Sequence, residues 1–229
     1  MSSSTPSATH FDLFSFWRTS ATYRVRVAMR LKGIKATEHN VNLDSGEQRS
    51  AAFLKINPMG AIPALIVRSE GAGPTPITQS MAILEFLEES HASPALLPID
   101  LHGRARVRSI ALLLTADTHP LITPRVKGYL MTQNGFDDAA WRAWQIKWFS
   151  TGLQALEQRL QNEPETGVFC HGDSITMADI CLASIVVVMR VFKIEVPHIP
   201  TVLRIMTSCE AHSAFSASAP ALQVGAPAL

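Results

Sequence analysis

The sequence predicts an α/β domain followed by an all-helical one. Three observations carry this. Short apolar runs alternate with helical periods as far as about His91, the stretch Ala92 to Pro98 (ASPALLP) breaks the pattern, and beyond it strand signals give way to long segments with apolar residues at helical spacing. The divisions that follow are a disordered tail over 1–10, the α/β domain over 11–91, a linker over 92–98, the helical domain over 99–215 and a second tail over 216–229. A chain of 229 residues is long enough to bury two such cores.

Phe11 to Phe16 (FDLFSF) is a short aromatic and apolar run ending in polar WRTS, which suits a buried strand and a loop. Between Thr22 and Lys32 the period changes. Tyr23, Val27, Ala28 and Leu31 recur at helical spacing, Arg24 and Arg30 fall elsewhere on the wheel, and Gly33 stops the helix. A strand near His39 to Leu43, an amphipathic segment Gln48 to Ile56, a turn at Asn57-Pro58 and a strand from Ile62 to Val67 continue the pattern as β-α-β-α-β. SEGAGPTP marks a hairpin or loop, and Ile77 leads into a helix that begins near Gln79. In the helical domain Trp141, Trp144 and Trp148 stand at i, i+3, i+7 before Leu156 and Leu160, a stripe that reads as core packing. The Ala/Ser/Pro-rich stretch from Ser213 onward reads as a loosely held tail.

Composition narrows the function. Lys plus Arg total 20 against 19 Asp plus Glu, a balance that gives no field to hold nucleic acid or an anionic membrane, so a small-molecule partner is expected. The MSSSTPSATH start has no apolar core for a secretory signal, and the most apolar stretch, Ala183 to Met189, is far too short to span a bilayer. Cys170, Cys181 and Cys209 are odd in number and widely spaced, which reads as buried or free thiols of a reduced compartment, with no metal expected.

Chemistry has few places to reside. The loop Arg18-Thr19-Ser20-Ala21-Thr22 lies between strand and helix, where hydroxyls and free N–H groups meet the positive helix end and can stabilise an anion; plain capping by Thr19, Ser20 or Thr22 is the alternative. In Gly60-Ala61-Ile62-Pro63-Ala64-Leu65 a proline stands at a strand entrance, so Ile62-Pro63 is a candidate cis bond whose backbone can pair with an extended peptide ligand. Gln79-Ser80 opens a helix that can hold a carboxylate, or Ser80 and Thr78 simply cap it. Thr176-Met177-Ala178-Asp179 fits a capping box and is assigned to folding. His119 beside Pro120 reads as structural before catalytic, while Arg125 and Arg190 suit a dicarboxylate or a surface salt bridge.

FWRTSATYRVRVAMRLKG (16–33), VNLDSGEQRSAAFLKINPMGAIPAL (41–65), ITQSMAILEFLEE (77–89) and HGDSITMADI (171–180) together resemble, in order and across nearly the whole chain, the zeta-class glutathione transferases. That class includes the glutathione-dependent maleylacetoacetate and maleylpyruvate isomerases. The resemblance implies a thioredoxin-like N-terminal domain, an all-helical C-terminal domain, a glutathione site between them, a cytoplasmic location and a homodimer. Carried over by position, Thr19 and Ser20 match the class's catalytic hydroxyls, with Arg18 beside them, and Ala21 replaces its cysteine, which excludes a cysteine-dependent step. Gln48, Ile62 with Pro63, Gln79 and Ser80 match the glutathione contacts, Gln79 and Ser80 those of its γ-glutamyl carboxylate. His119, Arg125 and Arg190 are the substrate-carboxylate candidates; Ile122 and Thr123 stand where relatives carry amides, and Val191 where several carry arginine. The implied activity is cis-trans isomerisation of a maleyl-type dicarboxylic keto acid by reversible thiolate addition. Conjugation or dehalogenation of small α-halo acids, and glutathione binding without turnover, are the alternatives.

Overall fold

The computed structural model describes residues 9–71 and 73–227. Residues 1–8 of the expected N-terminal tail, and the last two of the C-terminal one, lie outside the described residues. The chain forms two compact units. One runs to Pro94 and is rejoined by the chain from Ala217; the other is Ala95–Ser216.

In the first unit β1 (His10–Ser15), α1 (Ser20–Leu31), β2 (Thr37–Asn40), α2 (Ala51–Leu54), β3 (Ala64–Arg68), β4 (Thr75–Thr78) and α3 (Ser80–Ser90) follow in order. The strands make one sheet in the order β2-β1-β3-β4, with β2 parallel to β1 and the other pairs antiparallel. Alternation along β1 puts Phe11 and Leu13 on one face, 4% and 1% exposed, and Phe14 on the other against Phe53 of α2. β4 is the strand absent from the sequence reading. It is an edge strand of four residues with Pro76 inside it, a residue an edge tolerates because no ladder donor is needed on its outer side. The second strand lies earlier than expected, over TEHN, whose residues are all exposed and show no alternation.

Helix α1 buries Tyr23, Val27 and Ala28 as its period predicts, but Arg24, placed off the apolar stripe, is only 2% exposed, as is Arg26. Each buried guanidinium is hydrogen-bonded: Arg24 Nε donates to Ser80 Oγ at 3.0 Å, and Arg26 donates to Glu38 Oε2 and Ser15 Oγ. Lys32, just past the helix, donates from Nζ to Glu88 Oε2 (2.8 Å) and to the carbonyls of His91 (2.6 Å) and Pro94 (2.8 Å), fastening the ends of α1 and α3 to the chain that follows.

The end of the chain differs from a loosely held tail. Ser218, 0% exposed, accepts from Arg30 of α1 at 3.1 Å, and Gln223 Nε2 donates to the carbonyls of Ala217 and Ala219. Gly225, at φ +85°, runs so close to β2 that a Cβ there would stand 3.0 Å from Asn40 Oδ1. Side-chain bonds, which composition does not reveal, hold this Ala/Ser/Pro-rich segment in place.

The regular elements of the second unit are all helical among the described residues: α4 (Leu101–Leu112), α5 (Pro124–Gln133), α6 (Asp138–Asn162), α7 (Met177–Val191), α8 (Pro200–Glu210) and α9 (Ser213–Ser216), with a π-helical stretch Leu113–Thr118 and a 3₁₀ turn His119–Ile122 after α4. Gly152 of α6 admits Thr118, since a Cβ there would lie 2.1 Å from Thr118 Oγ1. In the tryptophan stripe Trp141 is buried with Leu156 and Leu160, while half-buried Trp144 donates to the Leu121 carbonyl and meets Phe136 and Trp148 edge-on. Helix α7 is buried from Met177 to Met189, so the most apolar stretch is the centre of this core, and no helix among the described residues is long and apolar enough to cross a membrane. It starts on the expected capping box: Asp179 accepts from Thr176 N and Oγ1 and from Cys170 N.

Candidate active site

The first unit brings several sequence candidates to one end of the sheet. Phe14, Ala64 and Thr78 lie side by side across β1, β3 and β4. Because β3 runs against both neighbours, the chain leaving β1 toward Ser20, the chain entering β3 at Ile62-Pro63 and the chain leaving β4 at Gln79-Ser80 all emerge at that end. No single segment shows this convergence; the strand order produces it.

Ser20 is the first residue of α1 and only 1% exposed, yet its Oγ has no hydrogen-bond partner among the described residues. Thr19, at the N-cap, makes no capping bond; its Oγ1 lies 2.7 Å from Thr22 Oγ1. Tyr23 N bonds back to Thr19, and among the described residues the N–H groups of Ser20, Ala21 and Thr22 have no acceptor. The first turn also carries no acidic side chain. Buried polar groups are ordinarily paired, so a buried, uncapped helix end with an idle hydroxyl is fitted to receive an anion. This geometry disfavours the capping alternative for Thr19 and Ser20. Arg18 stacks over the rings of Phe16 and Trp17, 5.2 and 5.5 Å from their centroids, and pairs with exposed Asp44.

The Ile62-Pro63 bond is cis. Ile62 precedes the first residue of β3, and among the described residues its backbone N–H and C=O bond to no other backbone group. A short extended peptide can take both as an added strand would. Gly60, at φ +58°, lets this loop pass beside Gln48, where a Cβ would lie 3.0 Å from the Gln48 carbonyl; Gln48 Oε1 is itself buried without a partner. Gln79 holds φ +70°, a left-handed conformation that non-glycine residues adopt at a cost of about 1–3 kcal/mol. Gln79 is exposed at the N-cap of α3, makes no capping bond with its side chain, and adjoins buried Ser80.

The helical-unit candidates lie on three separate elements. Arg190 is half-exposed and pairs with Glu210 at 2.6 Å; Arg125 is exposed near the start of α5; His119 is half-buried in the 3₁₀ turn. Ile122 is buried, so the position where relatives carry an amide serves packing here. The three cysteines are buried and in no disulfide, and burial, followed by the neighbouring Asp179, pushes both the Cys170 and Cys209 thiols well up, so neither supplies a thiolate near neutral pH. Among the described residues no group of three or more His, Cys, Asp or Glu is placed to hold a metal ion. Sequence reasoning missed Arg24, whose partner Ser80 lies far along the chain and whose neighbours give no sign of the pairing.

Residues 9–89 match the family model described as Glutathione S-transferase, N-terminal domain. The chain is 37% identical over 211 residues to the maleylpyruvate isomerase of a Ralstonia species, covering 92% of this chain and 97% of that one. It is similar to the crystal structure of maleylacetoacetate isomerase from Methylobacterium extorquens AM1 with bound malonate and glutathione, at 44% identity and TM-score 0.90 over 95% of this chain and 100% of that one. It is also similar to maleylacetoacetate isomerase from Anaeromyxobacter dehalogenans 2CP-1 with bound dicarboxyethyl glutathione and citrate, at 36% identity and TM-score 0.85 over 97% of this chain and 100% of that one.

Proposed function

The chain belongs to the zeta class of the glutathione transferases, the family of the maleylacetoacetate and maleylpyruvate isomerases, and on that premise we propose that it converts a maleyl-type dicarboxylic keto acid to its fumaryl isomer with glutathione as a cofactor. The fold is the family's: a thioredoxin-like N-terminal domain followed by a helical one. The observation that carries the reading is the idle hydroxyl of Ser20 at an uncapped, buried helix end. An amide-rich tripeptide carrying one thiol fits what the first unit offers: unpaired backbone at Ile62, a buried unpartnered oxygen on Gln48, a helix end at Gln79-Ser80 and the anion-receptive turn at Ser20.

When bound, glutathione supplies a thiolate that adds reversibly to the cis double bond, so that rotation about the resulting single bond and elimination give the trans isomer and return glutathione. The protein's part is electrostatic. A free thiol with a pKa of about 8.5 is only about 3% ionised at pH 7, and lowering it by about two units requires about 2.7 kcal/mol of preference for the anion. One hydroxyl donating to a charged acceptor contributes about 1.5–3 kcal/mol, and a helix N-terminus about 0.3–1 kcal/mol more. Ser20 and its turn are therefore sufficient without a protein nucleophile. Thr19 supplies the second hydroxyl of the turn. Arg18 is the cation nearest in sequence, ready to exchange exposed Asp44 for a substrate carboxylate. Arg125 and His119 are the helical-unit candidates for the second carboxylate; Arg190 serves only if it leaves Glu210.

The reading extends to a cytoplasmic homodimer acting in the breakdown of aromatic amino acids, supported by family membership, and sedimentation of the purified protein tests the dimer. The activity is tested by incubating the protein with maleylpyruvate or maleylacetoacetate, with and without glutathione, and following product by NMR. Glutathione-dependent fumaryl product with total glutathione unchanged is the expected result. Consumption of glutathione, or no turnover of either acid, refutes it.

A further inference from the structure

Helix α3 begins where the proposed γ-glutamyl carboxylate of glutathione would rest, and the residue that shapes this end comes from another helix. Arg24 Nε donates to Ser80 Oγ at 3.0 Å, with both residues buried, 2% and 6% exposed. A serine hydroxyl has one hydrogen and two lone pairs. Once a lone pair is taken by an N–H that can only donate, the hydroxyl hydrogen must point elsewhere, and no acceptor for it is found among the described residues. The hydroxyl is thereby fixed as a donor. The guanidinium also places a permanent positive charge, shielded from water, beside a helix N-terminus that already favours anions.

We propose that Arg24 is a positioning residue for a carboxylate held at Ser80: it orients the Ser80 hydroxyl as a donor and adds its charge to the helix end. The inference rests on the reading of this site as the glutathione γ-glutamyl site. Arg24 touches neither the thiol nor the reacting double bond, so its effect falls on cofactor affinity and leaves the chemical step alone. It acts only on ligands that carry the γ-glutamyl carboxylate.

The experiment uses the full chain and its variants Arg24→Met, Arg24→Lys, Ser80→Ala and the double variant. Glutathione and the dipeptide Cys-Gly, which lacks the γ-glutamyl unit, are titrated calorimetrically, and isomerase kcat is taken at saturating glutathione. Arg24→Met is expected to raise the glutathione Kd about 10- to 30-fold, since it removes a charge-assisted contact. The Cys-Gly Kd and the saturated kcat should stay within about twofold, as the thiol site is untouched. Arg24→Lys should recover part of the loss, and the double variant should lose less than the sum of the singles, the sign of a coupled pair. If Arg24→Met does not fold, the Arg24→Lys and Ser80→Ala titrations carry the test, and equal losses for glutathione and Cys-Gly in them overturn the proposal. So does a glutathione Kd unchanged in Arg24→Met, or a loss confined to kcat. Failure of the parent reading looks different: the unmutated protein would then bind no glutathione at all.

Discussion

Replacing Ser20 with alanine removes one oxygen that is buried, unpaired and placed at the start of α1. If that hydroxyl donates to a bound thiolate, its loss withdraws about 2 kcal/mol from the anion, equivalent to raising the bound thiol's pKa by about 1.5 units. Starting from a bound pKa of about 6.5, the ionised fraction at pH 7 falls from about three quarters to about one tenth, so turnover at pH 7 drops about eightfold. The sign of the pH dependence is fixed: the anion is the active form, so a raised pKa moves the rising limb of the pH–rate profile upward and the deficit closes near pH 9. Folding stability should not fall with activity, because the deleted oxygen has no partner among the described residues, and removing an unsatisfied buried polar group relieves a desolvation penalty. The assay is saturated isomerase turnover from pH 6 to 9.5 beside thermal unfolding of both proteins. An unmoved pH limb, or a loss of activity matched by a drop in Tm, refutes the role given to Ser20.

Lys32→Met removes the Nζ donor shared by the buried Glu88 carboxylate and the His91 and Pro94 carbonyls, so urea unfolding should show a loss of about 3 kcal/mol. Asp12, 6% exposed, is held at a pKa of about 2 by its hydrogen bonds to His39 and then Arg68. A lowered folded-state pKa means its stabilisation is full above about pH 4 and is lost as pH falls through about 2; after discounting for its exposed partners this is about 1 kcal/mol, and Asp12→Asn should lower stability at neutral pH while flattening that acid limb. Gly152→Ala drives a methyl to 2.1 Å from Thr118 Oγ1, and chemical denaturation should show a loss of about 1–3 kcal/mol or more.

Local patterns carried much of this molecule. The helical period of Tyr23, Val27 and Ala28, the glycine stop at Gly33, the capping box at Thr176 and the change of pattern after His91 are readable because each is written within a few residues. The loop at Ile62-Pro63 was marked by a proline at a strand entrance. Long-range pairing was not legible: β4 carries no alternation and contains Pro76, and the edge strand TEHN is wholly polar. Arg24 and Arg26 look like solvent residues until Ser80, Glu38 and Ser15 are brought to them. At the site, the residue types around Ser20 were visible, but not that its hydroxyl is idle, since only the fold removes water and alternative partners from it.

The segment beyond Ala217 has a consequence for the order in which the protein can be made. A ribosome releases residues in sequence, so α1 and β2 emerge early while Ser218 and Gly225, which lie against them, emerge only after the helical unit. The thioredoxin-like unit therefore leaves synthesis incomplete, its flank open around Arg30 and Asn40 until the helical unit has been translated in full. Chains stalled within α8 would present that flank to chaperones and proteases even if everything upstream had already folded, and quality control would thus act on the first unit through residues translated after the second.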